Sequence, residues 1–152
     1  MASMKHTART SRIAVKTALV SLLALPALCQ AFGIEGPLDC HSNAHDFIAP
    51  LLETNLIETK PMRVEPNSIN AFRPVKGVNL TAYGFKIYAV VGYQKNDPIF
   101  KEGKGDPIGD SSYGAVVWGG DDEVLKKVRD AGSDAVVHHV APFITAIFCK
   151  RS

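Results

Sequence analysis

The clearest periodic signal in the chain lies between Asn79 and Tyr93. Tyr83, Phe85, Ile87, Ala89, Val91 and Tyr93 recur at every second position, while Gly84, Lys86, Tyr88 and Gly92 make the intervening set more mixed. A period of two with one apolar set predicts a strand with one buried face. Tyr113–Trp118 predicts another strand, stopped by Gly119-Gly120. Ala135–Cys149 is apolar on both faces, which predicts a central strand, or two short ones with Pro142 at a bulge or bend between them. In the proline-rich stretch 60–74, Met62 and Val64 alternate with Arg63 and Glu65, the pattern of a short edge strand.

Two segments carry the helical period instead. Ser42 stands where an N-cap is expected, ahead of Ala44, Phe47, Ile48, Leu51, Leu52 and Leu56. Pro50 falls inside this pattern and should kink or restart the helix. A second helix is expected from a cap at Asp121, with Val124, Leu125, Val128 and Ala131 inward and Gly132 as the stop. Asp122 and Glu123 in its first turn, with Lys126, Lys127 and Arg129 later, suit the helix dipole. Lys95-Asn96-Asp97-Pro98 is a turn, and 101–112 has no apolar period and should be an exposed loop. The order is helix, three strands, helix, strand. The expected fold class is α+β: a single small domain, mainly an antiparallel sheet with two helices on one face.

The start of the chain has a different character. Lys5, Arg9, Arg12 and Lys16 precede an apolar run from Ala18 to Leu28, and Cys29 and Ala31 place small residues where a signal peptidase reads them. The run is short for a bilayer span. Leu28 before Cys29 disfavours lipid attachment at that cysteine. The expected organisation is a signal peptide over 1–31 and an exported domain over 32–152, periplasmic or secreted after cleavage near Ala31. The whole chain has 17 Lys+Arg and 15 Asp+Glu. Four basic and no acidic residues lie in the leader, so the mature domain carries thirteen against fifteen and its net charge becomes −2 with neutral histidines. No basic stripe remains for phosphates, which argues against a nucleic-acid partner. No second apolar segment is long enough to predict a transmembrane span.

Export also changes the cysteine arithmetic. Of three cysteines, Cys40 and Cys149 remain, and an oxidising compartment pairs them. A bridge closing a loop of about a hundred residues is worth on the order of 4–5 kcal/mol in the chain-entropy treatment.

Candidate chemistry is sparse. His41 and His45 are four apart, but His41 precedes the helix. His138 and His139 are adjacent on a strand and point to opposite faces, so at most one could join His45. Gly103, Gly105 and Gly109 lack the spacing of a phosphate cradle, and Asp106 and Asp110 beside them repel phosphate. The aspartates 97, 106, 110, 121 and 122 do not match a calcium loop. Ser42, Ser111 and Ser112 lie in no nucleophile elbow. Asn79-Leu80-Thr81 forms a glycosylation sequon, meaningful in a eukaryotic secretory route. Tyr113 and Trp118 are candidates for an exposed aromatic anchor, with packing beneath the second helix as Trp118's alternative role.

With no catalytic constellation and no cofactor called for, the expected function is an exported protein-binding module, of an inhibitor or immunity type, rather than an enzyme. Its partner would be another extracytoplasmic protein, bound through the loop 101–112 by Lys104, Asp106 and Asp110, with Tyr113 and Trp118 beside them. Two alternatives differ in class. One is a small hydrolase or metal-dependent enzyme using His45 with His138 or His139. The other is a small-ligand carrier with its cavity between sheet and helices.

Overall fold

A computed structural model describes residues 30–151, which form an α+β domain with two α-helices packed on a mixed eight-stranded sheet. The expected signal segment falls almost wholly outside the described residues. The elements in chain order are β1 (Phe32–Gly33), a 3-10 turn (Gly36–Asp39), α1 (Ala44–Glu53), β2 (Arg63–Val64), β3 (Asn70–Phe72), β4 (Leu80–Ala82), β5 (Phe85–Gln94), β6 (Ser111–Trp118), α2 (Asp121–Asp130), β7 (Val136–Ala141) and β8 (Ile144–Arg151). The sheet runs β1-β4-β5-β6-β8-β7, with β3 sharing the outer edge of β5 with β4, and β2 outside β3. Every pairing is antiparallel except that of β1 with β4, a departure from the expected antiparallel arrangement.

The long strand expected over Asn79–Tyr93 is a hairpin. Ala82 pairs with Phe85, and Tyr83 (φ 52°) and Gly84 (φ 84°) form the two-residue turn. Positive φ at both central positions fits the twist of a tight hairpin, and Gly84 reaches it without strain. Ala135–Cys149 likewise divides, as the alternative of two short strands allowed, with Pro142 and Phe143 in the turn. Pro142 supplies the fixed φ and Phe143 (φ 59°) follows, the pattern of a type II turn. β8 is interior, but β7 is an edge strand and not a central one.

Both helices cover the same face. Phe47, Ile48 and Leu51 of α1, with Val124 and Val128 of α2, are buried over Val90, Tyr113, Ala115, Val117 and Ile147. Phe47 and Tyr113 have ring centroids 5.0 Å apart. α1 begins one residue later than expected: Asn43, not Ser42, is its N-cap and accepts from the Asp46 amide at 2.9 Å. The next free amides are taken by sheet side chains, Ala44 N–H by Ser111 Oγ and His45 N–H by Gln94 Oε1. These bonds fix where the helix lands on β5 and β6. α1 runs through Pro50, which is exposed, so the Asp46 carbonyl it leaves without an amide partner faces solvent.

α2 starts after Gly120, so Asp121 occupies its first turn rather than the cap. At its end Gly132 (φ 76°) donates to Arg129 and Ser133 donates to Val128, a Schellman closure. Only Val124 and Val128 are buried on α2; Leu125 and Ala131, expected inward, are exposed. Cys40 and Cys149 form a disulfide, Cα–Cα 5.1 Å, tying the turn before α1 to β8. Among the described residues no helix is long and apolar enough to cross a membrane.

Candidate binding surface

The helices cover one face of the sheet, and the other is largely open. Side chains alternate along β6: Tyr113, Ala115 and Val117 point to the helices, while Gly114, Val116 and Trp118 point away. On the same outward face lie Val91 of β5, Ala146 and Phe148 of β8, and Val136, His138 and Val140 of β7. With Val116, Ile69, Ile108, Glu65 and Asn67 they line a groove of about 480 Å³. A second depression of about 280 Å³ shares Ile69, Val91, Val116 and Val140 with it and continues to Tyr88 and Arg73. Gly114 sits between Val91 and Phe148, where it leaves the floor without a side chain.

The apolar groups here are large and wet. Val136 is 58% exposed, Val140 52%, Trp118 48% and Tyr88 45%. Tyr88 and Trp118 meet edge to face with centroids 5.8 Å apart, so each ring restrains the other. The hairpin tip Phe143, 77% exposed, adjoins this end of the sheet. Charges stand at the rim, where Arg63 and Glu65 pair at 2.7 Å.

The expected site residues divide between two surfaces and the core. Tyr113 is fully buried: its hydroxyl donates to the Pro37 carbonyl at 2.9 Å and accepts from the Ser42 amide. Burial pushes its phenol above the usual tyrosine range. It is a core residue and cannot be an exposed anchor. Trp118 is exposed, but on the face opposite α2, so it does not pack beneath that helix. Lys104, Asp106 and Asp110 are exposed, and Asp110 faces Lys95 at 3.8 Å. Their loop is laced down at its base. Buried Asn70 accepts from the Lys101 amide and donates to the Lys101 and Ser68 carbonyls, and Ser68 Oγ accepts from Gly103. Gly103 passes so close to the Glu65 carbonyl that a Cβ would collide with it. Ile108 then brings the loop to the groove's rim.

The histidines are separated. His45 Nδ1 pairs with Asp97 at 2.6 Å, at the turn after β5. His139 Nδ1 pairs with Asp121 at 2.8 Å. His138 projects from the other face into the groove wall. Asp121 is held below the usual carboxylate range, first by the Thr145 hydroxyl at 2.5 Å and then by His139. No group of three His, Cys, Asp or Glu among the described residues could hold a metal. The space between sheet and helices, expected for a ligand cavity, is occupied by the packed core.

Sequence reasoning reached Trp118 but missed Tyr88, Val136 and Val140 as surface residues. One available signal was the two-sided apolar character of Ala135–Cys149. Such a pattern predicts burial on both faces, whereas one of those faces is open.

No protein-family model matches this chain, and neither the curated proteins nor the solved structures contain a match to it.

Proposed function

We propose that this is an extracytoplasmic protein-binding module whose binding surface is the open sheet face, with the 101–112 loop as its rim. The observation that carries this reading is the exposed Tyr88–Trp118 pair beside a mainly apolar groove, on a sheet whose opposite face carries both helices. Exposed apolar patches of this kind mark interaction sites, and a paired tryptophan and tyrosine are the side chains that most often dominate interface energetics. The shape favours a polypeptide over a small molecule. Small-ligand sites enclose most of their ligand, and this groove lies open along a sheet. A partner's apolar segment could lie across Val91, Val116 and Phe148, while Lys104, Asp106 and Asp110 meet polar groups at the edge. The Cys40–Cys149 disulfide fits an oxidising compartment and keeps the platform rigid.

The test is capture of partners from the source's own extracytoplasmic extract on immobilised protein, followed by affinity measurement with variants. Trp118→Ala and Val140→Lys should each weaken binding by about tenfold or more, as central contacts do. Replacing Lys104, Asp106 and Asp110 by alanine should act mainly on the association rate and its salt dependence, as rim charges do. Undiminished binding with the Trp118 and Val140 variants would remove the open face from the interface.

A further inference from the structure

The floor of the groove runs on beneath the loop. On the open face, Val91 of β5 is followed by Tyr93 and Gly114 of β6 is preceded by Ser112, and Tyr93 and Ser112 pair across the two strands. Both are sealed from solvent, at 1% and 0% exposure, and neither hydroxyl has a hydrogen-bond partner among the described residues. Buried hydroxyls are ordinarily paired, because an unpaired one has given up water without replacing it. The 100–109 segment lies over them. Phe100 meets the Tyr93 ring edge to face at 6.4 Å. Burial, together with the nearby Glu102 and Asp110 carboxylates, holds the Tyr93 phenol above the usual tyrosine range. Gly109 lies against Lys150, the residue opposite Ser112 on β8. This cover is fastened at its side and not from below. The amides of Gly105 and Ile108 donate to the Pro66 and Asn67 carbonyls at 2.8 and 3.0 Å, and among the described residues no hydrogen bond of 104–109 reaches the floor.

We infer that the segment 104–109 is a lid over a polar end of the groove, and that Tyr93 and Ser112 are the hydrogen-bonding positions it uncovers for the main chain of a bound polypeptide. The inference rests on the open-face reading above. While the lid is shut, two hydroxyls are desolvated and unpaired; lifting it returns both to water or to a partner's polar groups. Opening is therefore easier than for a loop whose underside is paired, and local opening of this kind leaves the core folded. Fixed points bound the moving stretch. Asn70 and Ser68 hold Lys101 and Gly103 at one end, and the Lys95 amide holds the Asp110 carbonyl at the other. A hydroxyl both donates and accepts, so the pair serves main-chain amides and carbonyls alike, which the apolar floor beside it does not.

Pinning the lid tests this. The Cβ of Pro66 lies 3.7 Å from the position a Cβ would take at residue 105, within the span of a disulfide. Oxidised Pro66→Cys/Gly105→Cys, with the native bridge intact, holds the lid shut, and Pro66→Ser/Gly105→Ser is its unpinned control. Tetranitromethane, which nitrates accessible tyrosines, reads the floor. Tyr93 should be nitrated at least about tenfold more slowly in the pinned protein than in the control, with buried Tyr113 resisting in both as the guard against global unfolding. Amide exchange supplies the sign. Tyr93→Phe and Ser112→Ala each remove an unpaired hydroxyl, so exchange at Gly105 and Ile108 should slow by about threefold or more. Hydroxyls that hold the loop down would speed it instead. Equal nitration of pinned and control protein, or exchange that is unchanged or faster in the two variants, would overturn the lid. The polypeptide captured on the immobilised protein tests the use of the floor: pinning should weaken its binding by about fivefold or more. Full binding to the pinned protein, with Trp118→Ala still weakening it, would overturn the role of the hydroxyls and leave the open-face reading standing. Binding indifferent to Trp118→Ala would overturn the open-face reading and the role of the hydroxyls with it, whereas nitration tests the lid alone.

Discussion

The disulfide offers the prediction with the most defined magnitude. Cys40 and Cys149 are separated by 109 positions. In the chain-entropy treatment, a loop of that length restricts the unfolded state by about 16 cal/mol/K, or about 4.8 kcal/mol at 25 °C. That is comparable with the total stability of a small domain. The perturbation is the double variant Cys40→Ala/Cys149→Ala. Cys149 is buried beside Leu38 and Tyr113, so its replacement adds a small loss of packing. Reduced wild-type protein, which retains both sulfur atoms, separates that loss from the loss of the cross-link. The assay is urea unfolding of oxidised, reduced and double-variant protein. Reduced and variant proteins should each lose about 3–5 kcal/mol relative to the oxidised form, with the midpoint shifted and the unfolded state more expanded. A loss below about 1 kcal/mol in both would refute the idea that the bridge stabilises by restraining the unfolded chain.

Other outcomes follow from particular contacts. Thr145→Val removes the hydroxyl that holds Asp121 below its ordinary pKa. A carboxylate with a depressed folded pKa adds stability above its unfolded value, and that stability is lost as pH falls through the folded value. The variant should therefore be less stable than wild type at pH 7, and the gap should narrow in denaturant melts taken below about pH 3; a gap independent of pH contradicts the assignment. Asn70→Ala strands the Lys101 amide and carbonyl and should cost about 2–3 kcal/mol while raising amide exchange at Lys101 and Gly103; unchanged exchange there would show that another contact anchors the loop. Gly114→Ala drives a Cβ against the Ile147 carbonyl and should destabilise by about 1–3 kcal/mol in the same melts.

The legible parts of this fold were those in which burial had one clear direction. The α2 segment, with its acidic start, Val124 and Val128 inward and Gly132 at the end, reads directly from spacing and end chemistry. The Cys40–Cys149 bridge agrees with the cysteine arithmetic that an expected leader over 1–31 leaves. Reading failed where non-local contacts decide. Nothing local shows that Tyr83-Gly84 turns the chain, because Tyr83 continues the apolar alternation of Phe85 and Ile87. β3 has only three residues, and its Asn70 is polar because it anchors a distant loop. The separation of Tyr113 from Trp118 was available in principle: five positions apart on a strand, they must face opposite ways. Which of the two would be covered depends on where α1 lands, and Ser111 and Gln94 set that from the sheet. The open face was the hardest feature to read, because a partner-facing apolar surface and a core surface have the same composition.

The chain's single tryptophan lies on the proposed binding surface, so its emission reports on that surface alone. The most direct test of the central claim is titration of the protein with its captured partner, following Trp118 fluorescence and acrylamide quenching with a partner signal subtracted or a tryptophan-free partner fragment. Binding across the open face predicts a blue shift of Trp118 and protection from quencher that saturate with the binding isotherm. Saturable binding that leaves Trp118 emission and quenching unchanged would contradict the account.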